Sequence, residues 1–145
     1  MKNNIFLCLL IALLFGSCNQ EKKSPVTGAW QLISGNVVTP DTIINFPVSA
    51  SGKHMKIIGE KYFSTIWQDT ILSKSDIWYA GFNGGTYTFE NEVYKETELY
   101  FYPISGIGNT WSAKAEFRGD TMVLTYIPED TDSKNTSVEK WKRLE

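Results

Sequence analysis

Two alternating runs joined by Gly119-Asp120 constrain this chain more than any other feature. Across residues 111–118 and 121–127 an apolar side chain stands at nearly every second position. With a two-residue turn, Trp111, Ala113, Ala115, Phe117, Met122, Leu124 and Tyr126 share one face. Ser112, Lys114, Glu116, Arg118, Thr121 and Thr125 share the other, with Val123 as the exception. Period two is the repeat of a strand with one buried and one wet face, and no helix presents it.

The rest of the chain follows the same grammar. No segment sustains helical periodicity; short β-branched and aromatic runs are divided by Gly, Asn and Asp. Residues 28–34 form a first strand with Trp30 and Leu32 on one face, and residues 138–144 a last one. Residues 39–52 hold Pro40 and Pro47 and read as a long loop with a turn near Thr42, a length often used for a lid. Residues 54–58 and 61–68 read as a hairpin about Gly59-Glu60, where a leading Gly suits a type II′ turn. Met55, Ile57, Tyr62, Ser64 and Ile66 then share one face, and Ile58, Phe63, Thr65 and Trp67 the other. Residues 69–78 fit either a strand or a turn-rich connection, and 103–109 and 129–135 read as loops.

Residues 84–103 read as two strands turning at Glu90-Asn91, with Tyr87 opposite Tyr94 and Gly85 opposite Glu96. One face carries Tyr87, Phe89, Tyr94, Glu96, Glu98, Tyr100 and Tyr102; the other carries Thr86, Thr88, Val93, Lys95, Thr97, Leu99 and Phe101. Both faces mix apolar and polar groups, as strands lining a partly wet cavity can. About eight strands with short turns imply an all-β, antiparallel up-and-down barrel, which removes exposed edges; a two-sheet sandwich is the alternative. Such a barrel has room for packed side chains or one small ligand.

Before the strands comes a targeting segment, residues 1–17. Lys2 precedes an apolar run from Ile5 to Phe15, too short to span a bilayer comfortably. The run ends in Leu14-Phe15-Gly16-Ser17-Cys18, which resembles the bacterial lipoprotein signal. That resemblance implies that Cys18 is lipidated, with palmitate-type acyl chains, and becomes the first mature residue. Residues 18–27 then read as the lipidated Cys and a flexible tether, and 28–145 as the domain. Cys8 leaves with the leader and Cys18 is consumed, so no disulfide or thiolate is expected in the fold. The expected location is the cell envelope, lipid-anchored, with Asn19 after the Cys leaning towards the outer membrane. Without Lys2 the chain holds thirteen Lys plus Arg against sixteen Asp plus Glu. This acidic balance argues against nucleic acid as a partner.

Gly28-Ala29-Trp30 on the first strand, with Arg143 on the last, resembles the lipocalin pattern, in which a late Arg packs over the Trp ring. Gly84 to Phe89, Tyr94-Lys95-Glu96, Gly119 to Leu124 and Trp141-Lys142-Arg143 look like lipocalin-like domains of Bacteroidota lipoproteins. The resemblance implies a barrel with an internal site for a small, largely apolar ligand, and no particular activity. Trp30 and Arg143 are expected as a structural plug at one end. Asp41-Thr42-Ile43 and Asp69-Thr70-Ile71 also resemble the O-glycosylation signal of that group.

Chemistry is thin. His54 is the single histidine, so no thiolate or His-rich metal site and no Ser-His-Asp triad is expected. Glu129, Asp130 and Asp132 lack the glycine turn of an EF-hand and read as a solvated loop. Glu96 either projects into the barrel, where burial would raise its pKa, or joins Glu92 and Glu98 in an outer solvated stripe. The expected ligand-lining residues are Trp67, Tyr87, Tyr94, Glu96, Tyr100 and Tyr126. The sequence therefore leads to a monomeric, non-enzymatic, lipid-anchored barrel without cofactor or metal, binding a small hydrophobic or amphipathic ligand. The alternatives are a packed interaction module of an outer-membrane complex and, last, an enzyme using a buried carboxylate.

Overall fold

The computed structural model describes residues 23–47, 52–70, 78–101, 106–128 and 136–144. Nine strands appear: β1 (Gly28–Val38), β2 (Ile43–Phe46), β3 (Lys53–Ile58), β4 (Tyr62–Thr70), β5 (Trp78–Glu90), β6 (Val93–Phe101), β7 (Thr110–Arg118), β8 (Thr121–Ile127) and β9 (Thr136–Arg143). From β3 to β9 each strand pairs antiparallel with the next, and β1 pairs with both β3 and β9. That closure makes an eight-stranded barrel, with β2 as an extra strand against β1. It is the up-and-down architecture expected from the meander, and closure leaves no open sandwich.

The Gly119-Asp120 hairpin has the expected register, Arg118 opposite Thr121, with Gly119 at φ 64. The other two hairpins turn one residue later than expected. Asn91 and Glu92 have φ of 50 and 66, so they form the turn and put Tyr94 opposite Phe89 and Glu96 opposite Tyr87. Two adjacent positive φ values fit a type I′ turn. Likewise Ile58 faces Phe63 and the turn is Glu60-Lys61; Gly59 is not left-handed, so the expected type II′ turn is absent there. Each slip moves the partner by two residues, which is the pleat period, so every side chain keeps its face.

Two bulges do change facing. In β1, Leu32 faces Trp141 and Ser34 faces Lys140, leaving Ile33 extra. β1 also parts from β3 after Gln31, whose side-chain amide donates to the His54 carbonyl at 3.0 Å. Beside the upper half of β1 lies β2, so part of the expected 39–52 loop is strand. In β6, Glu98 faces Gly85 and Tyr100 faces Gly84, leaving Leu99 extra. One added residue reverses the facing of the positions beyond it. Tyr100 therefore points outward, 66% exposed, which corrects its expected place in the lining.

The barrel has unlike ends. The three tight turns, Glu60-Lys61, Asn91-Glu92 and Gly119-Asp120, fall at one end with the start of β1 and the finish of β9. There the Arg143 guanidinium lies 4.1 Å from the Trp30 ring. Its two terminal nitrogens donate to the carbonyls of Thr27 (2.8 Å) and Pro25 (2.7 Å). The Trp30 indole N–H donates to the Val26 carbonyl at 2.8 Å, and both side chains are buried. The last residues of the stretch read as a free tether, from Ser24 to Thr27, thus belong to this plug. Above it Leu32, Ile58, Phe63, Tyr94, Ala115, Met122, Leu124 and Trp141 form the apolar core. At the opposite, loop end lie residues 39–42 and 106–109, with the finishes of β4, β6 and β8 and the starts of β5, β7 and β9.

Candidate functional site

Above the apolar core the barrel interior becomes charged. Lys56 on β3 and Glu96 on β6 are both about 3% exposed, and Lys56 Nζ donates to Glu96 Oε1 at 2.7 Å. The Tyr94 hydroxyl donates to the same oxygen at 2.7 Å. The ammonium also lies over the rings of Trp141 (5.2 Å), Tyr94 (5.6 Å) and Phe63 (5.7 Å). A buried charge needs such compensation, because desolvation otherwise exceeds its Coulombic gain. Glu96 thus points inward, which settles the choice between the barrel and an outer stripe.

Two further carboxylates share this interior. Glu98, 1% exposed, accepts from Asn83 Nδ2 at 2.7 Å. Glu139 on β9 accepts from the Trp141 indole at 2.8 Å and from the Tyr126 hydroxyl at 3.3 Å. Glu98 is covered by its immediate neighbours, whereas Glu139 keeps some solvent contact although it lies deep among protein atoms. Among the described residues neither forms an ion pair.

Burial sets the protonation preferences here. It pushes the Glu98 carboxyl up, against hydrogen bonds from Asn83 and Trp111 that pull it down. It likewise raises Glu139, against the Lys56 charge and the Trp141 hydrogen bond. For Lys56 burial works downward, but Glu96, Glu139 and Glu98 together hold the ammonium above its ordinary range. The Tyr94 and Tyr126 hydroxyls are pushed well up, by burial first and then by the Glu96 and Glu139 charges respectively.

Of the six expected lining residues, the structure brings Tyr94, Glu96 and Tyr126 into this charged layer. Tyr87 sits lower, its ring 5.4 Å from that of Tyr94 and its hydroxyl donating to the Gly59 carbonyl at 2.7 Å. Trp67 lies nearer the loop end, its ring centroid 6.3 Å from that of Phe101, over the space a side chain at Gly81 would need. Tyr100 is outside the barrel. Sequence reasoning missed Lys56, Glu139 and Asn83 and gave Glu98 no role. Strand parity could have found them: Lys56 shares a face with Ile58, Glu139 with Trp141, and Asn83 with Tyr87.

His54 stacks on Phe46, ring centroids 6.2 Å apart, beside β1. Among the described residues no three His, Cys, Asp or Glu side chains could together hold a metal ion. A groove at the plug end, lined by Pro25, Phe89, Glu92, Ala115, Glu116, Phe117 and Arg118, opens outward and contains none of the expected site residues. Asp41 and Thr42 are exposed at the β1–β2 turn. Cys18, the 129–135 loop and the side chains of Asp69 and Thr70 lie outside the described residues. No family model, no curated protein and no solved structure matches the chain.

Proposed function

We propose that this chain is a lipid-anchored envelope protein, held through an acylated Cys18, whose barrel takes a small hydrophobic or amphipathic ligand through its loop end. The observation that carries this reading is the unlike filling of the two barrel halves. One half is packed with Trp30, Leu32, Ile58, Phe63, Met122 and Trp141 and sealed by Arg143. The other holds aromatic groups with a few polar side chains between them, the composition of a small-molecule site. Glu96 is engaged at 2.7 Å by both Lys56 and Tyr94, which supports a positioning part for it rather than proton transfer.

Native mass spectrometry of the protein extracted from its own membrane tests the reading. A co-purifying small molecule, displaced by one member of a lipid panel, is the expected result. An empty protein that binds no member of the panel counts against it. Acylation is read in the same spectra as added mass on Cys18, absent from a Cys18→Ala variant.

One observation favours the second reading, an interaction module of an outer-membrane complex. On the outer wall Met55 faces Ile66 and Ile66 faces Phe82, with Ile57 and Tyr100 close by. Ile57, Ile66, Phe82 and Tyr100 are each about half exposed or more. Large apolar patches on a soluble surface mark contact sites. A photo-crosslinking residue at Ile66 tests this: one discrete partner band supports the module, and no crosslink above a control at Lys114 counts against it.

A further inference from the structure

We propose that the loop-end interior receives a primary ammonium group, held by Thr65, Asn83 and Glu98, so that the ligand class is an amine with an apolar tail. This rests on the ligand-binding reading above. The three residues stand on neighbouring strands, β4, β5 and β6, and form one wall. Thr65 is the cross-strand partner of Asn83, and Asn83 donates to Glu98. Thr65 and Glu98 are 7% and 1% exposed.

Each of the three keeps an unused oxygen. Thr65 Oγ1, Asn83 Oδ1 and Glu98 Oε2 are buried and have no hydrogen-bond partner. Buried polar atoms are nearly always paired, so three orphans on one wall call for an occupant. All three can accept, and Asn83 Oδ1 and the ionised Glu98 Oε2 can only accept. A primary ammonium offers three N–H donors and no acceptor, which is the complement of this set. A carboxylate or phosphate head would set acceptor against acceptor there.

Charge points the same way. The Lys56 ammonium is taken by Glu96. Among the described residues Glu98 accepts from the neutral Asn83 amide, and Glu139 from the neutral Tyr126 and Trp141. The interior therefore carries more carboxylates than cations, and an incoming ammonium meets Glu98 through a charge-assisted hydrogen bond. Trp67, Phe101 and Trp111 stand at the same end as apolar walls for the tail.

Calorimetry on the full chain in nanodiscs, with empty nanodiscs subtracted, tests this with octylamine, 1-octanol and octanoate at neutral pH. Octylamine should bind roughly tenfold tighter than octanol, with octanoate weakest. Glu98→Gln should bring octylamine down to the level of octanol measured in the same variant. Thr65→Val, which deletes one acceptor at constant shape, should weaken octylamine by a smaller factor and serves if the Glu98 variant does not fold. Equal binding of octylamine and octanol, tightest binding of octanoate, or full octylamine affinity in either variant overturns the ammonium site while leaving the ligand-binding reading intact. If none of the three probes binds, both fall.

Discussion

Lys56 Nζ and Glu96 Oε1 meet at 2.7 Å from strands three places apart in the sheet, so the pair spans the inside of the barrel. Removing one member leaves the other charged and dry. Lys56→Met should cost about 3–5 kcal/mol in urea unfolding. The double variant Lys56→Met with Glu96→Gln should recover most of that loss, since it leaves no lone charge. Equal stability of single and double variants would show that the pair is not coupled.

Glu98 gives the chain a pH dependence of definite sign. Burial raises its folded pKa above the ordinary carboxylate range, so between the two values the folded state holds more protons than the unfolded one. Its contribution to stability is complete below the ordinary value and is lost as pH rises through the raised one. Wild type should lose stability relative to Glu98→Gln as pH is taken from 4 to 7. Urea midpoints for both proteins across that range measure it; a difference that stays flat or runs the other way contradicts the burial of this carboxyl. Glu139, raised in the same direction, should add a parallel trend in Glu139→Gln.

At the alkaline side the tyrosines decide. Tyr94 and Tyr126 titrate well above their ordinary range in the fold, so the stability they give is whole below that range and falls as pH rises past it. Tyr94→Phe should flatten the loss seen above about pH 10. Absorbance of ionised tyrosine alongside circular dichroism separates titration in the fold from titration after unfolding.

Arg143 contributes a ring contact and two carbonyl bonds to the plug. Arg143→Ala should cost about 2–4 kcal/mol from the cation–π contact and the two hydrogen bonds together. Arg143→Lys keeps the charge but loses the planar fork, and should fall between. Thermal denaturation ranks the three proteins.

Gly85 has no space for a side chain, because a Cβ there would strike the Thr97 carbonyl beside the β6 bulge. Gly85→Ala should therefore destabilise by about 1–3 kcal/mol. On the outer wall, Tyr100→Ser should change stability by less than about 0.5 kcal/mol and leave ligand affinity unchanged. A shift in octylamine affinity in that variant would place Tyr100 in the site after all.

The barrel is legible in the sequence because alternation with tight turns survives register error. Two of the three tight-turn hairpins are paired two residues away from the sequence reading, yet Ile58, Phe63, Tyr94 and Glu96 all keep their faces. The bulges are not legible, since Leu99 and Ile33 look like ordinary strand residues and only the closed sheet decides where an extra one is absorbed. The outward turn of Tyr100 is hidden for that reason. The interior charges are half hidden: strand parity puts Lys56 with Ile58 and Glu139 with Trp141, but only the groups across the barrel show why a charge is tolerated there. Pairing of Lys56 with Glu96 joins positions forty residues apart, and no local pattern reports it.

The grip of Arg143 on Pro25 and Thr27 shortens the leash. With the chain fixed from Ser24 onward, the proposed acylation of Cys18 would leave only residues 18–23 between the anchor and the barrel. Fully extended they reach roughly 20 Å. On that proposal the end so held would be the plugged one, and the barrel would ride close to the bilayer with its loop end turned to the water. The proposed ligand would then arrive from the aqueous side of the envelope rather than by sliding sideways out of the lipid.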